Sequence, residues 1–174
     1  MFAVTERLLL RPGWIEDAVA LTAAIGNQEI ARNLTRVPWP YSEADAERFL
    51  TQPAAPMRPN FLICLRDSNQ LVGGIGLSGE NEAELGYWIA RAHWGQGYAT
   101  EAGQAVMALA DSSLRLPRVQ ARRALDNGAS ARVLRKLGFQ PTGKRALSPS
   151  LARGTMETCL YAREREEARQ ALAA

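Results

Sequence analysis

The sequence predicts one mixed α/β (α+β) domain built around a single sheet, and three observations predict it. A chain of 174 residues has the length of one domain. Its composition, 47% apolar and 22% charged, is that of an ordinary globular chain rather than a disordered, collagenous or coiled-coil one. Strand-like alternation and helix-like spacing also take turns along its whole length, with no repeat, linker or low-complexity stretch between them. The order read from the residues is β-α-α-β-β-β-α-β-α-β-β.

Thr5 to Arg11 reads as the first strand, rich in leucine and closed by Pro12-Gly13. Trp14, Ala18, Leu21 and Ile25 recur at helical spacing, and Gly26-Asn27 ends that helix. Pro38-Trp39-Pro40 marks a loop. Ser42 stands three residues before Asp45, a capping-box signal with Asp in place of Glu, for a helix from Glu43 to Thr51. Pro53, Pro56 and Pro59 make the next stretch irregular. Asn60–Arg66 and Gln70–Ser78 read as strands joined through Asp67-Ser68-Asn69.

Glu84–Ala90 is a further strand, with Glu84, Gly86 and Trp88 on one face and Leu85, Tyr87 and Ile89 on the other. A helix follows from Ala99 to Leu114, with Ala102, Val106, Leu109 and Ser113 on one side. Pro117 precedes a strand through Leu125. Asp126 or Asn127 caps a helix that runs to Leu137, and Gly138 supplies its left-handed C-terminal cap. Phe139–Lys144 and Thr155–Ala162 read as the last strands, and the charged tail beyond Ala162 as a helix or a frayed end.

Composition excludes several functions. No apolar run approaches the ~18–20 residues of a membrane-spanning helix. The start, MFAVTERLLLRP, lacks the basic region of a signal peptide, so a cytoplasmic protein with no membrane partner is expected. Cys64 and Cys159 are too few for a disulfide scaffold, and free thiols are expected. His93 is the only histidine, so no zinc pattern exists, no metal is expected, and a Ser-His-Asp site would need His93 itself as base. It reads as surface structure. With 21 basic and 18 acidic residues the net charge is +3, too small to call for a nucleic-acid partner. The densest basic stretch, Arg115 to Arg135, reads either as a solvated face or as an attraction for a phosphate-bearing ligand.

Two glycine-rich segments carry opposite readings. Gly74-Ile75-Gly76-Leu77-Ser78-Gly79 matches G-x-G-x-x-G, but Glu80, Asn81, Glu82 and another strand follow it, leaving no helix N-terminus for a pyrophosphate. It reads as a strand end. Gly95-Gln96-Gly97-Tyr98-Ala99-Thr100 lies between a strand and a long helix. Its glycines allow a loop with successive N–H groups turned inward, and the helix N-terminus adds positive potential, an arrangement suited to a pyrophosphate. The alternative is a tight strand-to-helix turn. Asn127 and Ser130 stand at another helix start, where capping alone would explain them.

Taken together these segments resemble the GNAT superfamily of acetyl-CoA-dependent N-acetyltransferases. Within it the chain is most similar to the ribosomal-protein N-terminal acetyltransferase, or RimJ/RimL-like, branch. TERLLLRP, PWPYSEADAERFL, ELGYWIARAHWGQGYATEA, NGASARVLRKLGF and GTMETCLYA each resemble a piece of that branch, in order and over essentially the whole chain. The resemblance implies a single domain over 1–174, with acceptor-side elements in about 1–60 and an acetyl-CoA core in about 83–140. It implies a twisted, mostly antiparallel sheet of about six or seven strands flanked by about four helices, with the fourth and fifth strands splayed at the acyl-CoA site.

The family loop pattern [Q/R]-x-x-G-x-[G/A] falls on Trp94, Gly95, Gln96, Gly97, Tyr98 and Ala99, with Trp at its first position. By this resemblance the amides of Gly95, Gln96, Gly97, Ala99 and Thr100 hold the CoA pyrophosphate. The main chain of Tyr87, Trp88 and Ile89 pairs with the pantetheine arm, Asn127 hydrogen-bonds that arm, and Ser130 lies near the sulfur. Many members place a general-acid Tyr where this chain has Leu134, which makes Ser130 the candidate donor.

The implied reaction is direct attack of a primary amine on acetyl-CoA in a ternary complex, with the Ile89 N–H available to the oxyanion. An α-amine is roughly 10–17% neutral at pH 7 and a lysine amine only ~0.04%, so a protein N-terminus asks little of a base. Glu84 is the candidate base, with Glu82 in reserve. Trp39, Tyr41 and Glu82 are candidate acceptor contacts, although Trp14, Arg36, Trp39 and Tyr41 also read as loop anchors, and Glu80, Glu82 and Glu84 as a solvated acidic cluster. A monomer or homodimer is expected. The competing reading is a GNAT-fold module that binds acyl-CoA without turnover.

Overall fold

The computed structural model describes residues 1–53 and 55–165. Leucines at alternate positions fix the first strands. Leu8 and Leu10 are fully buried, which sets the inward face of β2 (Leu8–Arg11). The strand expected over Thr5–Arg11 begins only at Leu8, and a short strand that was not expected precedes it. β1 (Ala3–Val4) pairs antiparallel with β2, and Thr5–Arg7 turn between them. The Thr5 N–H closes that turn on the Leu8 carbonyl at 2.9 Å.

A 3-10 turn (Ile15–Asp17) leads into α1 (Ala18–Ile25). α1 ends at Gly26 as expected, and a short helix that the sequence reading lacks, α2 (Gln28–Ala31), follows at once. Asn27 caps it, its side-chain oxygen accepting the Glu29 N–H at 2.8 Å. α3 (Glu43–Leu50) carries the expected capping box. Ser42 Oγ accepts the Asp45 N–H at 3.2 Å, and the Asp45 carboxylate accepts the Ser42 N–H at 3.0 Å.

β3 (Asn60–Leu65), β4 (Leu71–Ser78) and β5 (Ala83–Ile89) form an antiparallel meander. The Gly74–Gly79 segment is strand, as read. A Cβ on Gly74 would lie 2.6 Å from Trp88 Nε1 of the neighbouring strand, so the glycine makes room for that indole. α4 (Tyr98–Ser112) packs Ala102, Val106 and Met107 onto the sheet. β6 (Arg118–Ala124) runs parallel to β5. α5 (Gly128–Lys136) follows, and Gly138, at φ 85°, closes it.

β7 (Gln140–Ser150) and β8 (Gly154–Glu164) form a hairpin longer than the two strands read there. β7 lies at the edge of the sheet, which is why it tolerates Pro141 and Pro149. The charged tail beyond Arg165 lies outside the described residues. The sheet order is β1-β2-β3-β4-β5-β6-β8-β7. Among the described residues eight strands and five α-helices stand where about seven and four are expected; β1 and α2 account for the difference.

One core cluster lies under α4 and α5 and includes Phe139 and Leu134; the other joins α1, α2 and α3 to the opposite face through Leu62 and Cys64. Cys64 and Cys159 are both free thiols, the first buried and the second half-buried. Among the described residues no helix is long and apolar enough to cross a membrane.

Candidate active site

β5 and β6 pair at only three positions, Ala83↔Val119, Glu84↔Gln120 and Leu85↔Ala121. β5 stays paired to β4 as far as Ile89, and β6 stays paired to β8 as far as Ala124. The two strands therefore part beyond Leu85, and among the described residues no strand lies beside the far main-chain edge of Gly86–Ile89. A cleft of about 840 Å³ opens there. It is walled by β5, the loop at 93–100, the start of α5, the turn after α2, and Met156 and Thr158 of β8.

The loop has the geometry of an anion cradle. Gly95 and Gly97 sit at φ 78° and 83°, a region that other residues enter only with strain. Gly97 is the N-cap of a 15-residue helix and brings no side-chain cap, so the positive end of α4 meets the cleft bare. The amides of Thr100 and Glu101 turn back to the Gly97 carbonyl at 3.0 and 3.1 Å. That removes Thr100 from the expected set of open donors. Among the described residues the amides of Gly95, Gln96, Gly97, Tyr98 and Ala99 donate to no backbone acceptor.

Trp94 pins this loop to the end of β5. Its Nε1–H donates to the Ile89 carbonyl at 2.7 Å. Arg91 lies 4.5 Å over its ring and is held in turn by Glu29 at 2.8 Å. The indole thus occupies a main-chain acceptor of the open strand edge. On the loop's other side the Gln96 carbonyl accepts Arg7 Nη1–H at 3.0 Å.

At the start of α5, Asn127 Oδ1 accepts the Ser130 N–H at 3.0 Å, which leaves its NH₂ as a donor for the cleft. Ser130 Oγ lies 2.8 Å from the Tyr87 hydroxyl. Burial pushes the Tyr87 pKa up to about 12, against the opposing pull of the Ser130 bond. Leu134, one turn further along α5, is fully buried in the core and presents nothing to the cleft.

Glu84 lines the cleft, with Arg122 Nε 3.3 Å from its carboxylate. His93 was read as surface structure; it is half-buried and lines the cleft beside Tyr98. Three other residues singled out for the site do not line it. Glu82 is held by Gln120 and Arg118 of the neighbouring strand. Trp39 stands exposed on its loop. Tyr41 packs against the α1–α3 core, where burial first, and then the Asp45 charge, push its pKa up to about 12.

The family described as Acetyltransferase (GNAT) domain matches residues 7–140. The chain belongs to this family. It is 34% identical over 148 residues, 80% of this chain and 82% of the relative, to YoaA of Bacillus subtilis, an uncharacterized N-acetyltransferase. Its fold is similar to that of a GNAT-family acetyltransferase from Bacillus anthracis. There the identity is 25% and the TM-score 0.81, covering 94% of this chain and 98% of that one. It is similar too to RimL, a ribosomal L7/L12 α-N-protein acetyltransferase solved with coenzyme A. That likeness, at 22% identity, a TM-score of 0.80 and coverage of 95% and 99%, is one of fold. The GNAT domain described here is therefore that of an acetyltransferase, an acyl-transferring enzyme.

The sequence reading missed three contributors to this GNAT site. α2 and the turn after it bring Glu29, Arg32 and Asn33 to the cleft. The sequence points to Tyr87 only through its main chain and to Arg7 only as part of a strand. The signal for the last two is a polar atom carried by an otherwise apolar strand; their partners, Ser130 and Glu101, are 43 and 94 positions away.

Proposed function

We propose that the cleft binds acetyl-CoA and that the protein moves its acetyl group to a primary amine, a protein N-terminal α-amine or a small-molecule amine, by direct attack in a ternary complex. The observation that carries this reading is the bare N-terminus of α4 at the mouth of the β5–β6 opening. Five unbonded amides and a helix dipole suit a pyrophosphate. The open edge of Tyr87, Trp88 and Ile89, apart from the Ile89 carbonyl that the Trp94 indole holds, suits the amides of a pantetheine arm, added as a short strand. Asn127 would donate to the same arm. The five segments that resemble the RimJ/RimL-like branch support reading the chain with that branch, and the fold likeness to RimL agrees with it.

In the transfer the amine nitrogen forms a bond to the thioester carbon and the carbon–sulfur bond breaks. Ser130 stands as hydrogen-bond donor to the departing sulfur. The amine's proton passes through water to Glu84, which lines the cleft. A thiolate with pKa near ~8.5 leaves readily, so the Ser130 contribution is modest. Trp39, Tyr41 and Glu82 stand off the cleft, so acceptor contacts fall to Glu29, Arg32 and Asn33.

The test is release of free CoA thiol from acetyl-CoA with peptides bearing free N-termini, lysine peptides, polyamines and amino acids. At saturating acetyl-CoA, an α-amine acceptor is expected to give a rate that levels off near pH ~8, and a lysine acceptor one that climbs toward pH ~10. Acetyl-CoA binding with no thiol release across the panel would make the protein a binding module instead.

A further inference from the structure

The Thr5-Glu6-Arg7 turn is not used by the reading above, yet it grips the loop at the mouth of the cleft. Glu101 lies one turn into α4 and points its carboxylate back at this turn. Its Oε1 accepts the Thr5 hydroxyl at 2.6 Å and the Arg7 N–H at 2.9 Å. Its Oε2 takes Arg7 Nε at 2.7 Å and Arg7 Nη2 at 2.7 Å. Arg7 then uses its remaining terminal nitrogen on the Gln96 carbonyl and lies 4.7 Å over the Tyr98 ring. The Glu101 side chain is 15% exposed and that of Arg7 45%. Burial alone would raise the Glu101 pKa, but these four bonds outweigh it and hold the carboxyl below its ordinary value.

Two consequences follow for the loop. A trans peptide directs its C=O and N–H to opposite sides. Fixing the Gln96 carbonyl on Arg7 therefore turns the Gly97 N–H the other way, toward the cleft that Gly97 lines. Glu101 also carries the wrong sign for an anion site, standing about one helical turn, ~5.4 Å, from the α4 N-terminus. A guanidinium whose Nε and Nη2 converge on Oε2 offsets that charge; a lysine ammonium could not match those two bonds and also reach the carbonyl.

We propose that Arg7 is a positioning residue of the acetyl-CoA site, one that sets the Gln96–Gly97 peptide for phosphate binding and masks the charge of Glu101. The proposal rests on the acetyl-CoA reading above. It assigns the N-terminal strand turn a function in donor selectivity, through phosphates rather than through the acetyl group.

The experiment compares two donors, acetyl-CoA and S-acetylpantetheine, which shares the thioester but has no phosphates. It uses wild type, Arg7→Met, Arg7→Lys, and Arg7→Met combined with Glu101→Gln. The quantity read is the ratio of kcat/KM for the two donors, with the acetyl-CoA dissociation constant from calorimetry beside it. Damage to folding alone would lower both kcat/KM values and leave their ratio intact. Arg7→Met is expected to lower the ratio at least about tenfold, with Arg7→Lys between it and wild type. Adding Glu101→Gln is expected to restore about threefold or more, because the unmasked carboxylate is gone. A ratio within about twofold of wild type in Arg7→Met, or a double variant no better than the single one, overturns the proposal. If Arg7→Met does not fold, Arg7→Lys carries the same comparison. A wild type that takes neither donor overturns the acetyl-CoA reading and this inference together, whereas undiminished discrimination in the variants overturns this inference alone.

Discussion

The Tyr87 hydroxyl oxygen lies 2.8 Å from Ser130 Oγ and 3.3 Å from the Ser130 carbonyl oxygen. A phenol has one proton to donate. When Tyr87 gives it to Ser130, the serine proton is left to point into the cleft rather than back along α5. The pair joins the open edge of β5 to the start of α5, the two walls between which the thioester would lie. Tyr87→Phe is expected to lower kcat about tenfold while the acetyl-CoA dissociation constant changes less than about threefold. Ser130→Ala is expected to lose at least as much. Steady-state kinetics beside calorimetry check both. Because burial holds the Tyr87 pKa at about 12, its ionisation contributes no loss of rate up to the alkaline end of an ordinary assay.

Leu134 stands where the resemblance to the GNAT superfamily would put a general-acid tyrosine. It is fully buried in the cluster that also holds Phe139 and Val106. Restoring a tyrosine there would force an aromatic ring and a hydroxyl into a packed core. Leu134→Tyr is expected to cost about 1–3 kcal/mol of stability, by urea unfolding, and to bring no gain in kcat.

Arg11 and Asp17 tie the end of β2 to the turn that starts α1. Arg11 is 7% exposed, and its guanidinium pairs with both carboxylate oxygens, at 2.7 and 2.6 Å. Asp17 also accepts the Trp14 N–H at 2.8 Å. Asp17→Ala strands a buried cation and is expected to cost about 3 kcal/mol. The Arg11 bonds, helped by Trp14 and opposed by burial, hold the Asp17 carboxyl below its ordinary 3.8. A depressed carboxylate pKa stabilises the fold above the unfolded value and loses that contribution as pH falls through the folded one. Wild type is therefore expected to weaken as the pH drops below 3.8, and Asp17→Ala to weaken less. Denaturant midpoints at neutral and acid pH measure the difference.

Much of this architecture was legible because it is local. The Ser42–Asp45 capping box, the Gly138 helix stop, and the reading of Gly74–Gly79 as strand each depend on residues a few positions apart. The glycine loop at 95–97 was readable because it needs only a strand before it and a helix after it. What stayed hidden depends on distant partners. Glu101 reads as an ordinary residue of the first helical turn until Thr5 and Arg7 come to it from across the sheet. Glu82 looked available to a substrate until β6 placed Gln120 and Arg118 beside it. α2 was missed for another reason: Asn27 can end one helix or cap the next, and only the packing of Ile30 into the core decides between them.

By the proposed function, the loop at 95–97 and the N-terminus of α4 hold acetyl-CoA. The most direct measurement is a calorimetric titration of acetyl-CoA into wild type and Gly97→Glu, with NAD as the control ligand. Gly97 sits at φ 83° and a Cβ there would stand 3.5 Å from Arg7 Nη2, so a glutamate strains the turn and sets a carboxylate among the phosphate donors. Saturable acetyl-CoA binding to wild type, weakened at least about 100-fold in a Gly97→Glu variant that still folds, with no NAD binding to either, is the predicted result. Equal acetyl-CoA binding by the two proteins, or none by a folded wild type, would contradict it.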